Sequence, residues 1–243
     1  MPDIISESGW LATPLGAYLL LCEKAMYDHA VADIFGFNAV QMGLGQLDLL
    51  EQSRMPFKCK STPESGAFHC QYENLPLATS SVDLILMPHL LEFSANPHQV
   101  LRDAERALVP EGHMIISGFN PISLWGMRRL CCKKQGYPWH GKFISLMRLK
   151  DWCALLGLEV VGGRMGCYAP PMAKEKWLMR MRWMDSAGDR WWPMMGGVYF
   201  LVARKKVTGM RLIRPQWQMP LSKVWAAKPT QKAGNQKEQV ERD

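Results

Sequence analysis

"ENLPLATSSVDLILMPHLLEF", Glu73 to Phe93, decides the fold. Its centre, Val82 to Met87, is apolar except for Asp83 and is bounded by Ser80-Ser81 and Pro88. A run that short, fenced by turn residues, predicts a buried strand rather than a helix. A strand apolar on both faces belongs inside a parallel sheet. Asn96-Pro97 then predicts a helix start, with Gln99 completing a capping box. Val100, Leu101, Ala104 and Leu108 form the inner face of that helix. Pro110-Glu111-Gly112 predicts a turn, and "HMIISGF" (His113 to Phe119) the next strand.

The pattern extends in both directions. Thr13-Pro14 predicts a capped helix start. Leu15, Leu19, Cys22 and Met26 carry its inner face to about Asp33, before Gly36. "NAVQM" (Asn38 to Met42) predicts a first buried strand leading into Gly43-Leu44-Gly45. "QLDLLEQS" predicts a short helix closed by Met55-Pro56, "FKCKS" a weak second strand and "AFHCQ" (Ala67 to Gln71) a third. Beyond residue 120, a helix is expected over Leu149 to Leu156, stopping at Gly157. "LEVVGG" predicts a strand, residues 173 to 186 an amphipathic helix, and "GGVYFLVARKK" a strong last strand. Strands alternating with helices predict an α/β, doubly wound, mostly parallel sheet. After about Pro220 hydrophobic periodicity stops, which predicts a flexible tail over 221–243.

Composition narrows the class. The 243 residues are 48% hydrophobic, enough for a sizeable core. No apolar run reaches ~18 residues, so no transmembrane helix is expected, and the N-terminus lacks the features of a secretory signal. Seven irregularly spaced cysteines without a C-x-x-C argue against a disulfide framework or a zinc site and fit a cytoplasmic protein. The net charge of +7 is uneven. Between Glu111 and Asp151 there is no acid, while Arg128, Arg129, Lys133, Lys134, Lys142, Arg148 and Lys150 supply seven cations. This basic insertion, 120–150, is either a solvated surface or a site for an anionic partner: nucleic acid, a membrane surface or a phosphate-bearing substrate.

Glycines after a first strand let a ligand approach the backbone at the carboxyl edge of an open sheet. Alone they are ambiguous. In order and spacing, however, "ENLPL", "VDLILM", "RALVPEG" and "HMIISGF" resemble class I S-adenosylmethionine-dependent methyltransferases, and within them the methyltransferase type 11 family, over roughly residues 36 to 120. "TPLG", "FNPISLWG", "GCYAPP", "AGDRWWP" and "GGVYFLVARK" extend the resemblance to a bacterial branch of that family. The resemblance implies a seven-stranded Rossmann-like sheet with an N-terminal helix and an inserted and C-terminal cap. It also implies a methyltransferase-like domain over 1–220, with an accessory helix at 173–190. S-adenosylmethionine is the implied cofactor. Gly43 and Gly45 match the loop along its methionine and ribose side. Tyr72, Glu73 and Asn74 match the loop flanking adenine. Met87, Pro88 and His89 match the strand end near the methionyl group. His89 is a candidate polar lining or proton acceptor, against the plainer reading of a histidine packed on the sheet. Asn120 reads as a turn residue, and His89 with Glu92 as a structural pair.

Three departures weaken the match. Gln41 stands where the family usually has an acid before the glycines. Lys60, Ser61 and Thr62 stand where an acid usually accepts the ribose hydroxyls, the nearest being Glu64. Gln71 stands where an acid usually faces the adenine amino group. A carboxylate on the ribose is worth about 1.5–3 kcal/mol per hydrogen bond. Two readings follow: a methyltransferase of unassigned acceptor with an atypical cofactor site, or an inactive methyltransferase fold that binds nucleic acid, anionic membrane or a protein. A peripheral membrane protein acting on a lipid-like substrate is a third. The tryptophans and cations of 173–192 suit base stacking, a membrane-interface contact or a lid over an apolar substrate, and plain packing of an accessory helix equally.

Overall fold

In the computed structural model, residues 6–61, 72–131, 136–172 and 174–206 are described. Among them six strands form one sheet: β1 (Asn38–Met42), β2 (Phe57–Ser61), β3 (Val82–Pro88), β4 (Leu108–Phe119), β5 (Leu158–Gly166) and β6 (Val198–Lys205). Their order is β2-β1-β3-β4-β6-β5. The first four are parallel, and β6 runs antiparallel to both β4 and β5. The expected third strand, 67–71, lies outside the described residues, as do Cys70, Cys132, Lys133, Lys134 and the tail.

β3 shows why its sequence is apolar throughout. Ile85 and Met87 face one way, into a cluster with Val100, Leu101 and Ala104 of α3 (Pro97–Ala107) and with Leu149 and Cys153. Leu84 and Leu86 face the other way, against Met26, Tyr27 and Val31 of α2 (Pro14–Ala32). Alternate side chains of a strand point to opposite faces, so only a strand covered on both sides is apolar throughout. Asp83 has its own task. Its Oδ2 accepts from the N–H groups of Phe37 (3.0 Å) and Asn38 (2.9 Å), fixing the start of β1. Gly36 lies beside it, where a Cβ would come 2.4 Å from Asp83 Cβ.

The N-terminal helix begins as expected: Thr13 Oγ1 accepts from Gly16 N–H at 3.2 Å, with Pro14 at the first position. Short α1 (Glu7–Leu11) precedes it. In the 120–150 insertion lies α4 (Leu124–Cys131), and α5 (Leu146–Leu155) ends before Gly157, which takes φ 74°.

Three local expectations fail, and a fourth is modified. "QLDLLEQS" forms turns, because the Gln41 side chain claims its backbone groups. Asn96 makes no side-chain cap; its carbonyl accepts from Gln99 N–H at 3.0 Å, and Ser94 Oγ instead accepts from Asn96 N–H at 3.1 Å. The expected turn at Pro110 to Gly112 survives as a bulge inside β4: Val82 pairs with Leu108 and Leu84 with His113, Glu111 takes φ 63°, and continuous pairing runs over His113–Phe119 as expected. Residues 173–190 are not one helix but two, α6 (Glu175–Met181) and α7 (Trp183–Trp191), meeting at Arg182.

Candidate cofactor site

β2 lies on one side of β1 and β3 on the other, so the chain changes direction across the sheet between β1 and β3. Open α/β sheets bind ligands outside the carboxyl ends of the strands at such a switch point. Gly43 leaves β1 there with φ 86°, and Leu44 follows with φ 42°. A Cβ on Gly43 would lie 3.3 Å from the carbonyl oxygen of Pro88, the last residue of β3. Glycine is required on two counts: a left-handed backbone and close approach of the neighbouring strand.

Gln41 builds this turn. Its side chain is fully buried. Nε2 donates to the carbonyls of Gly43 (3.3 Å), Leu44 (3.1 Å) and Leu47 (2.8 Å), and Oε1 accepts from Leu49 N–H (3.0 Å). Only a group with both donor and acceptor can do this; a carboxylate has no hydrogen to offer the three carbonyls. The Gln41 amide is thus committed to its own loop.

On the β2 side, Ser61 is buried, and its carbonyl accepts from Gly43 N–H (3.1 Å) and from the Tyr72 hydroxyl (3.3 Å). Lys60 pairs with Asp48 at 2.8 Å. Glu73 accepts from the Ser94 hydroxyl at 2.8 Å, which holds its carboxyl below the usual range. Gln71, Thr62 and Glu64 lie outside the described residues.

On the β3 side, His89 takes φ 49° and is buried. Its ring stacks at a tilt on Phe119, 4.1 Å between centroids. Nδ1 lies 3.0 Å from Glu92 Oε2, and Nε2 lies 2.9 Å from Glu23 Oε1 on α2. Burial alone would lower the His89 pKa, but the carboxylates of Glu23 and then Glu92 outweigh it and hold it at about 10. Burial raises the Glu92 carboxyl, partly offset by His89 and by the Phe119 N–H that Glu92 Oε1 accepts. Glu23 is fully buried, and its contact with His89 is an ion contact off the hydrogen-bonding direction. Among the described residues neither of its oxygens has an aligned donor.

The structure thus brings Gln41, Gly43, Pro88 and His89 together, with Tyr72 joined through Ser61. Gly45 and Asn74 are exposed, and the Met87 side chain lies in the core. Asn120 is a turn residue that also ties down a distant loop: Oδ1 accepts from Ile122 N–H, and Nδ2 donates to the carbonyls of Met194 and Gly196, each at 3.0 Å. Sequence reasoning missed Glu23, although its place four residues after Leu19 put a carboxylate on the inner face of α2.

Comparison with known proteins agrees with this fold. Residues 45–116 match the family model for a methyltransferase domain. An S-adenosylmethionine-dependent methyltransferase from Thermotoga maritima, a possible histamine N-methyltransferase, superposes with a TM-score of 0.55. The match is 18% identical and covers 75% of this chain and 89% of that one. The [4+2]-cyclase SpnF superposes with a TM-score of 0.53 at 12% identity, covering 76% and 80%. The fold is the one shared by class I S-adenosylmethionine-dependent methyltransferases, whose cofactor is S-adenosylmethionine, and the matched segment resembles a methyltransferase domain. More particularly, the chain is 43% identical over 89 residues to the protein YafS of Escherichia coli K12, covering 36% of this chain and 37% of YafS. It spans about a third of the length of the first curated relatives it matches.

The residues present fit a sulfonium nucleoside. The glycine turn leaves room where a Cβ would press on Pro88, so a ligand can approach the backbone there.

Proposed function

We propose that this chain is an active S-adenosylmethionine-dependent methyltransferase whose acceptor is met beside His89, under cover of α2. One observation carries this reading: Gln41 holds the Gly43–Leu44 turn open against the end of β3 with four hydrogen bonds, a cradle built without the customary acid. Gly43 and Leu44 would lie along the cofactor's methionine side, Tyr72 and Glu73 near adenine, and Pro88 and His89 near the reacting end. Bound cofactor would supply an activated methyl group, leaving the protein to align an acceptor and exclude water. His89, charged at neutral pH, is no proton acceptor there; it ties the end of β3 to the carboxyl groups of Glu23 and Glu92. The acceptor is unassigned, and an anionic one would suit the exposed Lys142, Arg148 and Lys150.

The second reading is a methyltransferase fold without catalysis, with 128–150 binding nucleic acid, anionic membrane or a protein. It is favoured by the full engagement of Gln41 in its own loop, which leaves that side chain nothing for a ligand. Titration calorimetry with S-adenosylmethionine and S-adenosylhomocysteine separates the two. The first reading expects binding, weakened about tenfold or more by the lost charge-assisted bonds. Absence of binding at millimolar ligand would overturn the first, and salt-sensitive binding to RNA, DNA or anionic vesicles would then support the second.

A further inference from the structure

The helices α6 and α7 and the segment after them turn apolar side chains outward. Trp177, Trp183, Trp191 and Trp192 are 47%, 61%, 72% and 49% exposed, and Met194 and Met195 are 59% and 48% exposed. This surface is anchored. Leu178 is buried in the cluster of Trp10 and Leu15. Asp185 accepts from the Tyr18 hydroxyl (2.6 Å) and Tyr168 N–H (3.0 Å), and Gly188 packs so closely under Tyr168 that a Cβ would come 2.3 Å from its ring. Asn120 holds the carbonyls of Met194 and Gly196.

Cations surround it. Lys174 to Met195 carries Lys174, Lys176, Arg180, Arg182 and Arg190 against three acids, of which Asp185 is turned inward. All five cations are exposed, and among the described residues no ion pair neutralises any of them. A groove of about 470 Å³ between α2 and α6 shares Met179 and Arg182 with this surface, continuing its apolar character onto Ala17, Leu21 and Ala25.

We infer that α6, α7 and residues 191–195 form a docking surface for an anionic lipid bilayer. Tryptophan favours the bilayer interface, exposed methionines are satisfied by acyl chains, and unpaired cations meet anionic headgroups. A single-stranded nucleic acid would use the cations and some of the rings, but methionine offers it no stacking face.

Co-sedimentation of the full chain with phosphatidylglycerol-containing vesicles, with pure phosphatidylcholine vesicles and with single-stranded RNA tests this. Expected is binding to the anionic vesicles that weakens several-fold in 1 M salt yet persists, because the apolar contact is not screened. A Trp191→Ala/Trp192→Ala variant should bind at least tenfold more weakly with an unchanged melting temperature, and Arg180→Gln/Arg190→Gln should reduce only the salt-sensitive part. Vesicle binding that survives both variants, failure to bind anionic vesicles, or preference for RNA would overturn the inference.

Discussion

The carboxylate of Glu23, on the N-terminal helix, lies 2.9 Å from the imidazole of His89, at the end of the third strand. With Glu92 on the other nitrogen, the ring is held between two buried carboxyl groups. Its pKa of about 10 lies above the ~6.5 of an exposed histidine, so the folded state keeps a proton the unfolded chain releases. That stabilisation is complete below pH ~6.5 and is lost as pH rises through 10. At about 1.4 kcal/mol per unit, it amounts to a few kcal/mol across the window. Urea denaturation from pH 6 to 10 should show the decline, and Glu23→Gln should flatten it while costing about 1–3 kcal/mol at neutral pH. A wild-type profile independent of pH in this range would remove the imidazolium.

Restoring the family's acid should harm this protein. Gln41→Glu would aim a carboxylate at three carbonyl oxygens that now receive hydrogen bonds. The expected loss is about 2–4 kcal/mol of stability, together with weaker S-adenosylmethionine binding by calorimetry. Tighter binding at unchanged melting temperature would show that the amide is not holding the turn.

Gly43→Ala should strain the left-handed turn and press on the Pro88 carbonyl. A cost of about 1–2 kcal/mol is expected, with cofactor affinity reduced roughly tenfold or more because the cradle closes. Gly45→Ala serves as the control: Gly45 is exposed and outside the left-handed turn. Equal effects of the two substitutions would contradict the placement of the cradle.

Cys22 should be a reactive thiol. A hydrogen bond from the Cys167 thiol lowers its pKa against the opposing effect of burial, and it borders two surface grooves. Thiolate is the attacking species in alkylation. Peptide mapping after brief iodoacetamide treatment should find Cys22 modified well ahead of buried Cys153, and Cys167→Ala should slow Cys22 several-fold. An unchanged rate in that variant would discount the thiol pair.

The sequence announced the sheet wherever burial on two faces left an apolar run, as in Val198 to Ala203 and in Val82 to Met87, which only Asp83 interrupts. It announced α2 through the Thr13-Pro14 cap. It misled where local pattern met a distant claim. Leu47, Leu49 and Leu50 imitate a helical stripe, but the Gln41 amide, several residues upstream, takes the backbone groups a helix would need. Asn96 and Gln99 have capping-box spacing, yet the Asn96 backbone, at ψ 75°, does not present its side chain to the helix. At the site, Gly43 and His89 could be named because they end strands. The His89 partner Glu23 stands 66 positions away on another element, and only packing of α2 on the sheet brings the two together.

The placement of β6 bears on how the chain is made. Strands β4 and β5 never touch as partners; each bonds to β6, which comes after both in the chain. Until residues 198–205 leave the ribosome, β4 has an open hydrogen-bonding edge and β5 has no sheet to join. The nascent protein therefore exposes a ready template for wrong strand pairing late in synthesis. The strand that closes this sheet also ends its period of greatest aggregation risk.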